Sequence, residues 1–395
     1  MAVATGRVER VLAVLCPGQG AQTPGFLTPW LDAPGLREHV EALSSYAGFD
    51  LVATGTRPDA DVVDTAVAQP LLVAAGLATG RVLGPFPAGT VVLGHSVGEV
   101  TAAGLAGAYD AAGAMAFARE RGRAMAAAAA RETSGMTAVL GGDAEEVAAA
   151  AASTGCWIAN YNAPGQLVVG GSRESLDRLA GAVPAGARLR PLQVAGAFHT
   201  PLMQSARDAI AALAVDLAPG ALQQPVVSNS DGGVVTASAD LIKRLVTQIT
   251  APVRFDQCLD TLRTLGVTAT VELAPGGVLT AIVRRALADI DAVALRTPDD
   301  LDDARRLVSE HTDAGDVISV AWRLVVAPAS GTLQRSGAAD GSAVYPAEEL
   351  ASVTQRAGSV VIESPVPGRL VEWLAEDGDP VQQGQPVARI APASS

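Results

Sequence analysis

Short apolar runs that end in glycine or proline alternate along the chain with longer Ala- and Leu-rich stretches of helical period. RVLAVLC (10–16) reads as a buried strand running into a glycine-rich loop, PGQGAQ. Residues 64–84 predict a helix, and TVVLG (90–94) a second buried strand. From Gly98 the chain turns helical, and a longer Ala-rich helix follows with Asp110 as its N-cap. Residues 135–195 change texture: GMTAVLGG, CWIANYNAP, GQLVVGG and ARLRPLQV are strand-like, with helices near 143–153 and 173–182. That β-α-β-β-α-β order is ferredoxin-like and reads as a small subdomain inserted in a larger α/β domain. The α/β pattern resumes with a strand at VVSNS (226–230), a helix at 239–249, and TATVELAPGG leading into a helix that ends near 286.

After residue 312 the chain becomes rich in Val, Gly and Pro with hairpin spacing, and its only helical hint is the short AEEL. APASGTL and SPVPGRL form a loose internal duplication. The domains expected are therefore 1–312, an α/β domain, and 313–395, an all-β module.

Composition narrows the partners. The 395 residues are 49% hydrophobic and carry a formal net charge of −13, which argues against nucleic acid and anionic membrane surfaces. No segment is expected to span a membrane, and the N-terminal VLAVLC is too short for a signal sequence, so a soluble cytoplasmic protein is expected. Cys16, Cys156 and Cys258 are far apart, which suits a reducing compartment and gives neither a disulfide framework nor a zinc site. With four histidines and no HExxH pattern, no metal is expected. The loop after the first strand lacks the third glycine of a dinucleotide fingerprint, since Thr23 stands there. Lys243 is the only lysine, so any group attached through lysine would have to use it.

Chemistry concentrates at GHSVG (94–98). A serine in G-x-S-x-G between an apolar strand and a helix fits a nucleophile elbow, and equally a plain tight turn. As a nucleophile, Ser96 would have the N–H of Val97 as its nearest oxyanion donor. A base is needed, and His199, at a strand end in VAGAFHTPLM, is the best candidate. His95 would point away from its neighbour, and His39 and His311 read as solvated. In the helix after Asp110, Phe117, Arg121 and Met125 recur every fourth residue, so Arg121 sits on an apolar stripe while Arg119 and Arg123 fall outside it. A buried guanidinium must find an anion. Either an internal Asp or Glu satisfies it, or it awaits a substrate carboxylate.

PGQGAQ (17–22), GHSVGE (94–99), RERGRAM (119–125) and GAFHTPLM (196–203) together resemble malonyl-CoA:acyl-carrier-protein transacylases and the acyltransferase domains of polyketide synthases. NYNAPGQLVVGG (160–171), VTQITAPVRF (246–255) and VELAPGGVLT (271–280) match as well, so the resemblance spans about 8–310. It implies an α/β-hydrolase-like large subdomain around the inserted small one. It also implies that Ser96 carries the malonyl group and His199 is the base, oriented by a main-chain carbonyl near Gln248. Gln19 and Val97 would hold the oxyanion and Arg121 the malonate carboxylate. Asn160 and Asn162 would line the wall, Met125 and Phe198 the acyl pocket, and the AFH triplet accompanies malonyl over methylmalonyl selection. Cys16, Val97 and Gly196 are small departures from the family pattern. Malonyl-CoA is then a substrate and acyl carrier protein the partner. The competing readings are transfer of another acyl group such as methylmalonyl, a serine esterase or thioesterase, and a non-catalytic scaffold.

SPVPGRLVEWLAEDGDPVQQGQPVARIAP resembles biotinyl and lipoyl carrier domains. Their acceptor lysine would fall near Ala357, where this chain has none, so no biotin or lipoate is expected and the module reads as a docking or packing domain. No Asp-Ser-Leu phosphopantetheine site is present.

Overall fold

The structure is a computed structural model that describes residues 11–392, apart from 88, 217–218, 288–289, 313–322, 340–341, 346, 356–357 and 365–366. The chain divides into two compact units, Met1–Gly315 and Asp316–Ser395.

In the first unit β1 (Val11–Cys16) precedes α1 (Leu36–Ala47), α2 (Leu51–Thr56) and α3 (Thr65–Leu83). β2 (Val91–Gly94) runs into α4 (Gly98–Leu105) and α5 (Ala111–Ala129). Next come β3 (Ser134–Leu140), α6 (Ala144–Ser153), β4 (Trp157–Ala163), β5 (Gln166–Ser172), α7 (Arg173–Leu179) and β6 (Arg188–Pro191). They are followed by α8 (Gln204–Asp216), β7 (Val226–Val227), β8 (Val234–Val235), α9 (Ser238–Gln248), β9 (Val253–Arg254) and α10 (Phe255–Thr264). β10 (Val267–Glu272), α11 (Val278–Ala286), β11 (Asp291–Ala294) and α12 (Leu301–Thr312) complete it.

The larger sheet has the order β11-β10-β1-β2-β7-β8 and is parallel except for the β7–β8 pair. Every residue of β1 is buried, as expected of a central parallel strand covered on both faces. β1 and β2 both end at the elbow. A Cβ on Gly94 would lie 2.0 Å from the Gly98 carbonyl carbon, and one on Gly98 would lie 2.0 Å from the Cys16 carbonyl oxygen. Only glycine lets the helix start this close to two strands. Asp110 caps α5 by accepting the Gly113 N–H at 2.7 Å, and buried Glu272 caps α11 through the N–H groups of Gly277, Leu279 and Thr280.

The second sheet has the order β6-β3-β5-β4-β9. Its first four strands are antiparallel, and Val139, Val147, Val169 and Leu179 lie in its separate core. The edge strand β9 pairs parallel with β4 and comes from well beyond residue 195, so this sheet borrows a strand from outside the predicted 135–195 segment.

Several local expectations are corrected. Strand pairing in VVSNS stops at Val227, because Ser228 N–H bonds to the Gly233 carbonyl and Gly232 N–H to that of Ser228 in a turn. Among the described residues one helix, α3 with 19 residues, is long and apolar enough to cross a membrane, a length not expected of any segment. Most of it is buried inside the protein, where a core helix needs the same composition. His311 is not solvated. It is 6% exposed, bonding through Nδ1 to the Leu307 carbonyl and through Nε2 to the Thr268 hydroxyl. His39 is half-buried.

The second unit contains β12 (Arg323–Val326), β13 (Gly331–Arg335), β14 (Ala343–Val344), β15 (Glu349–Gln355), β16 (Gly358–Glu363), β17 (Gly368–Trp373), β18 (Pro380–Val381) and β19 (Pro386–Pro392). They form antiparallel four-stranded sheets, β12-β19-β17-β14 and β16-β15-β13-β18, around Leu333, Leu350, Val353, Leu370, Val387 and Ile390. AEEL is not helical: Ala347 has φ 62°, and Glu349 and Leu350 begin β15. Ala357 lies outside the described residues.

Candidate active site

Ser96 sits between the end of β2 and the start of α4 with φ 55°, and His199 has φ 59°. Left-handed backbone at non-glycine residues is strained and is held by its surroundings. The holder at Ser96 is Asn229, in the turn after β7. Its Oδ1 accepts the Ser96 N–H at 2.8 Å, and its Nδ2 donates to the Gly94 carbonyl at 2.7 Å.

Ser96 Oγ lies 2.7 Å from His199 Nε2, and His199 Nδ1 lies 2.8 Å from the Gln248 carbonyl oxygen. A carbonyl can only accept, so Nδ1 bears the proton and Nε2 presents its lone pair to the serine hydroxyl. His199 is 4% exposed. Burial, reinforced by the charge of Arg121, pushes its pKa down to about 3. The imidazole is therefore neutral and ready to accept a proton. His95 points elsewhere, its Nε2 2.9 Å from Asn162 Oδ1 and its ring tilted against Phe255.

Arg121 is fully buried on α5, between Phe117 and Met125 on the same stripe. It donates to Gln69 Oε1 and Gln248 Oε1, each at 2.9 Å, and to Ser96 Oγ at 3.3 Å. Among the described residues it forms no ion pair, and its Nε has no hydrogen-bond partner. Burial lowers its pKa to about 10, a value at which it stays a cation at neutral pH. Amide oxygens hold the guanidinium directly, and among the described residues no carboxylate pairs with it directly.

The remaining predicted residues divide. Gln19 follows β1 in the loop, and its side chain donates to the Val63 carbonyl and the Thr65 hydroxyl. Only its main chain is left to serve an oxyanion. Val97 is buried at the N-terminal end of α4, directly after Ser96. Phe198 is buried beside His199 in sequence, and Asn160 Oδ1 is buried without a partner among the described residues. Met125 is buried and accepts from Gln69 Nε2 at 3.5 Å, so it backs the amide that holds Arg121. No cluster of three His, Cys, Asp or Glu suited to a metal occurs among the described residues. All three cysteines are free and buried.

Sequence reasoning missed Gln69, Asn229 and Glu99, and it missed the side-chain amide of Gln248. Gln69 is a lone amide inside the largely buried α3, and Glu99 is fully buried within an apolar helix three residues after Ser96. An unexplained polar residue in an apolar run was the available signal.

The model of the acyl transferase domain matches residues 14–316. The chain belongs to the acyl transferase domain family. Its relatives include a malonyl CoA-acyl carrier protein transacylase of Mycobacterium tuberculosis, 45% identical over 75% of this chain and 100% of that protein. The protein of that name from Escherichia coli K12 is 33% identical over 72% and 96%. Among solved structures, MCAT from Mycobacterium tuberculosis has a TM-score of 0.72 at 44% identity, covering 75% of this chain and all of that one. A malonyl-transacylase solved in complex with its type II polyketide acyl-carrier protein has a TM-score of 0.71 at 31% identity, covering 75% and 99%. The acyl transferase match ends at residue 316, so all but the first residue of the second unit lies outside it.

Proposed function

We propose that this acyl transferase moves a malonyl group from coenzyme A to the phosphopantetheine thiol of an acyl carrier protein, through a malonyl ester on Ser96. The observation that carries the reading is Arg121, a buried cation without an ionic partner among the described residues, 3.3 Å from the Ser96 hydroxyl. A carboxylate on the acyl group fills that fork, which an uncarboxylated acetyl group cannot do.

In the forward half-reaction His199 Nε2 takes the hydroxyl proton as Ser96 Oγ attacks the thioester carbonyl. The main-chain N–H groups of Val97 and Gln19 stabilise the tetrahedral oxyanion. Collapse expels the coenzyme A sulfur, which leaves with the proton from His199. The carrier thiol then enters, gives its proton to His199, attacks the Ser96 ester and takes the malonyl group, and the proton returns to Ser96. Phe198 fills space beside the acyl α-carbon and disfavours methylmalonyl, though one methyl is worth only about 1–3 kcal/mol. Asn160 lines the wall with an unpaired oxygen.

Further readings rest on the same resemblance. The larger sheet is α/β-hydrolase-like, and the strand order β6-β3-β5-β4 is that of a ferredoxin-like subdomain. The second unit is a biotinyl/lipoyl-like barrel without an acceptor lysine, carrying no biotin or lipoate and acting in docking or packing. The enzyme works in the cytoplasm and supplies fatty-acid or polyketide synthesis.

Intact-mass analysis after mixing with malonyl-CoA tests the reading. Wild type gains one malonyl group and Ser96→Ala gains none, and adding carrier protein moves the group to its thiol rather than to water. Equal labelling by acetyl-CoA, unaffected by Arg121→Ala, overturns the carboxylate role. Release to water alone favours a hydrolase.

A further inference from the structure

The buried charge of Arg121 has an indirect counterpart. Glu99, on α4, is 0% exposed and is separated from Arg121 by one amide. Gln248 Nε2 donates to Glu99 Oε2 at 2.5 Å while Gln248 Oε1 accepts from Arg121. The other Glu99 oxygen accepts the Asn229 N–H at 3.0 Å. The orientation of the Gln248 amide is over-determined. Its nitrogen faces Glu99, Asn229 Oδ1 and the Ser96 carbonyl, all acceptors, and its oxygen faces a donor. The same residue's main-chain carbonyl holds His199. Glu99 thus fixes the residue that positions both the base and the clamp.

Charge balance gives Glu99 a second part. In the unloaded site one cation and one carboxylate share a dry region, and each makes the other tolerable. A malonyl carboxylate on Arg121 brings a second negative charge into that region, where Coulomb forces are weakly screened. We propose that Glu99 is the counter-charge of Arg121 in the unloaded enzyme and takes up one proton when a carboxylated acyl group occupies the guanidinium. The step is Glu99–COO⁻ + H⁺ → Glu99–COOH. The proton comes from solvent and returns when the acyl group leaves. Acyl transfer to Ser96 is otherwise proton-neutral, because the serine proton leaves on coenzyme A.

The surroundings suit a carboxyl that changes state. Burial pushes Glu99 up to about 7, against the pull of Ser228, Asn229, Arg244 and Arg121. The Ser228 hydroxyl can donate to the carboxylate or accept from the acid. The titratable and charged groups facing this region are Arg121 of α5, Arg244 of α9 and Cys258 of α10, with His199 behind Gln248. Burial keeps the Cys258 thiol protonated, so it cannot take up a proton, and His199, held down to about 3, does not protonate near neutral pH, so Glu99 is the group left to take the proton.

The inference rests on the malonyl-transfer reading, and its test separates the two. Full-length enzyme is mixed with malonyl-CoA in weak buffer containing a pH indicator, with acyl-Ser96 counted by intact mass on the same samples. Between pH 7 and 8.5, wild type should take up a substantial fraction of a proton per malonyl-Ser96 formed. Per acyl-Ser96 formed from acetyl-CoA it should take up none. The malonyl loading equilibrium should weaken as pH rises through this range, approaching tenfold per unit, while acetyl loading stays flat. Glu99→Gln should abolish both the uptake and the pH slope. The wild-type malonyl–acetyl contrast needs no variant, so a misfolded Glu99→Gln does not blunt the test. Malonyl-Ser96 formed without proton uptake, or uptake equal for both acyl groups or unchanged in folded Glu99→Gln, overturns the role of Glu99 alone. Absence of malonyl-Ser96 in wild type overturns the transfer reading and this inference with it.

Discussion

The burial of His199 sets its pH behaviour and keeps it in the neutral form that the proposed base role needs. Its folded pKa is about 3, against about 6.5 in an unfolded chain. It stays neutral as pH falls from 7 to 5, so log kcat/KM for malonyl-CoA should lack the unit slope below pH 6.5 that an ordinary imidazole imposes. The stability consequence has a definite sign. A depressed pKa contributes stability that is complete above pH 6.5 and is lost as pH falls toward the folded value. Denaturant titrations at pH 7 and 5 should therefore show wild type losing more stability than His199→Gln. Arg121→Ala removes the one cation in the fork and should lower kcat/KM for malonyl-CoA by roughly 10²–10³-fold, measured against acetyl-CoA as control. Ser96, His199 and Arg121 were legible because each breaks a local pattern: a strained elbow, a histidine at a strand end, a charge on an apolar stripe. Gln69, Glu99 and Asn229 were not, since their roles come from side chains brought together from α3, α4 and the turn after β7, which no spacing along the chain encodes.

At the scale of elements, helix starts were readable because their caps are local. Asp110 shows this: its carboxylate serves the Gly113 N–H three residues on. Asp110→Ala should cost about 0.5–2 kcal/mol in denaturant unfolding while leaving malonyl loading intact, because the cap lies at the opposite end of α5's first turns from Arg121. Gly98→Ala differs in kind. Its new Cβ would meet the Cys16 carbonyl of the central strand at 2.0 Å, and backbone cannot yield as a flexible side chain would. Loss of malonyl-Ser96 and a lowered unfolding temperature should occur together. Two of the misread elements share a cause. AEEL and the segment around His311 take their structure from non-local partners, a strand partner in β16 and a Thr268 hydroxyl on β10, while VVSNS is cut short by a turn closed by Gly233. Period and propensity cannot see such partners.

At the scale of the whole molecule, the atoms of the site all come from the first unit. The Mycobacterium tuberculosis relative is matched over its full length by 75% of this chain. Each unit also has its own apolar core, with Leu71, Val92 and Phe117 in one and Leu333, Leu350 and Ile390 in the other. A chain ending at Gly315 should therefore fold and form malonyl-Ser96 at a rate within about threefold of the full-length enzyme. The two half-reactions make the comparison informative. The first needs only coenzyme A thioester, so removing the second unit should leave it unchanged. The second needs a carrier protein, and a docking role for residues 316–395 would raise the KM for that protein while kcat stays level. Steady-state kinetics with carrier protein as the varied substrate distinguish the cases. A raised KM in the truncated enzyme assigns docking to the second unit. An unchanged KM with normal acylation leaves that unit a role outside the transfer cycle. Loss of acylation itself would mean that the first unit depends on the second to fold, against the separate cores described above.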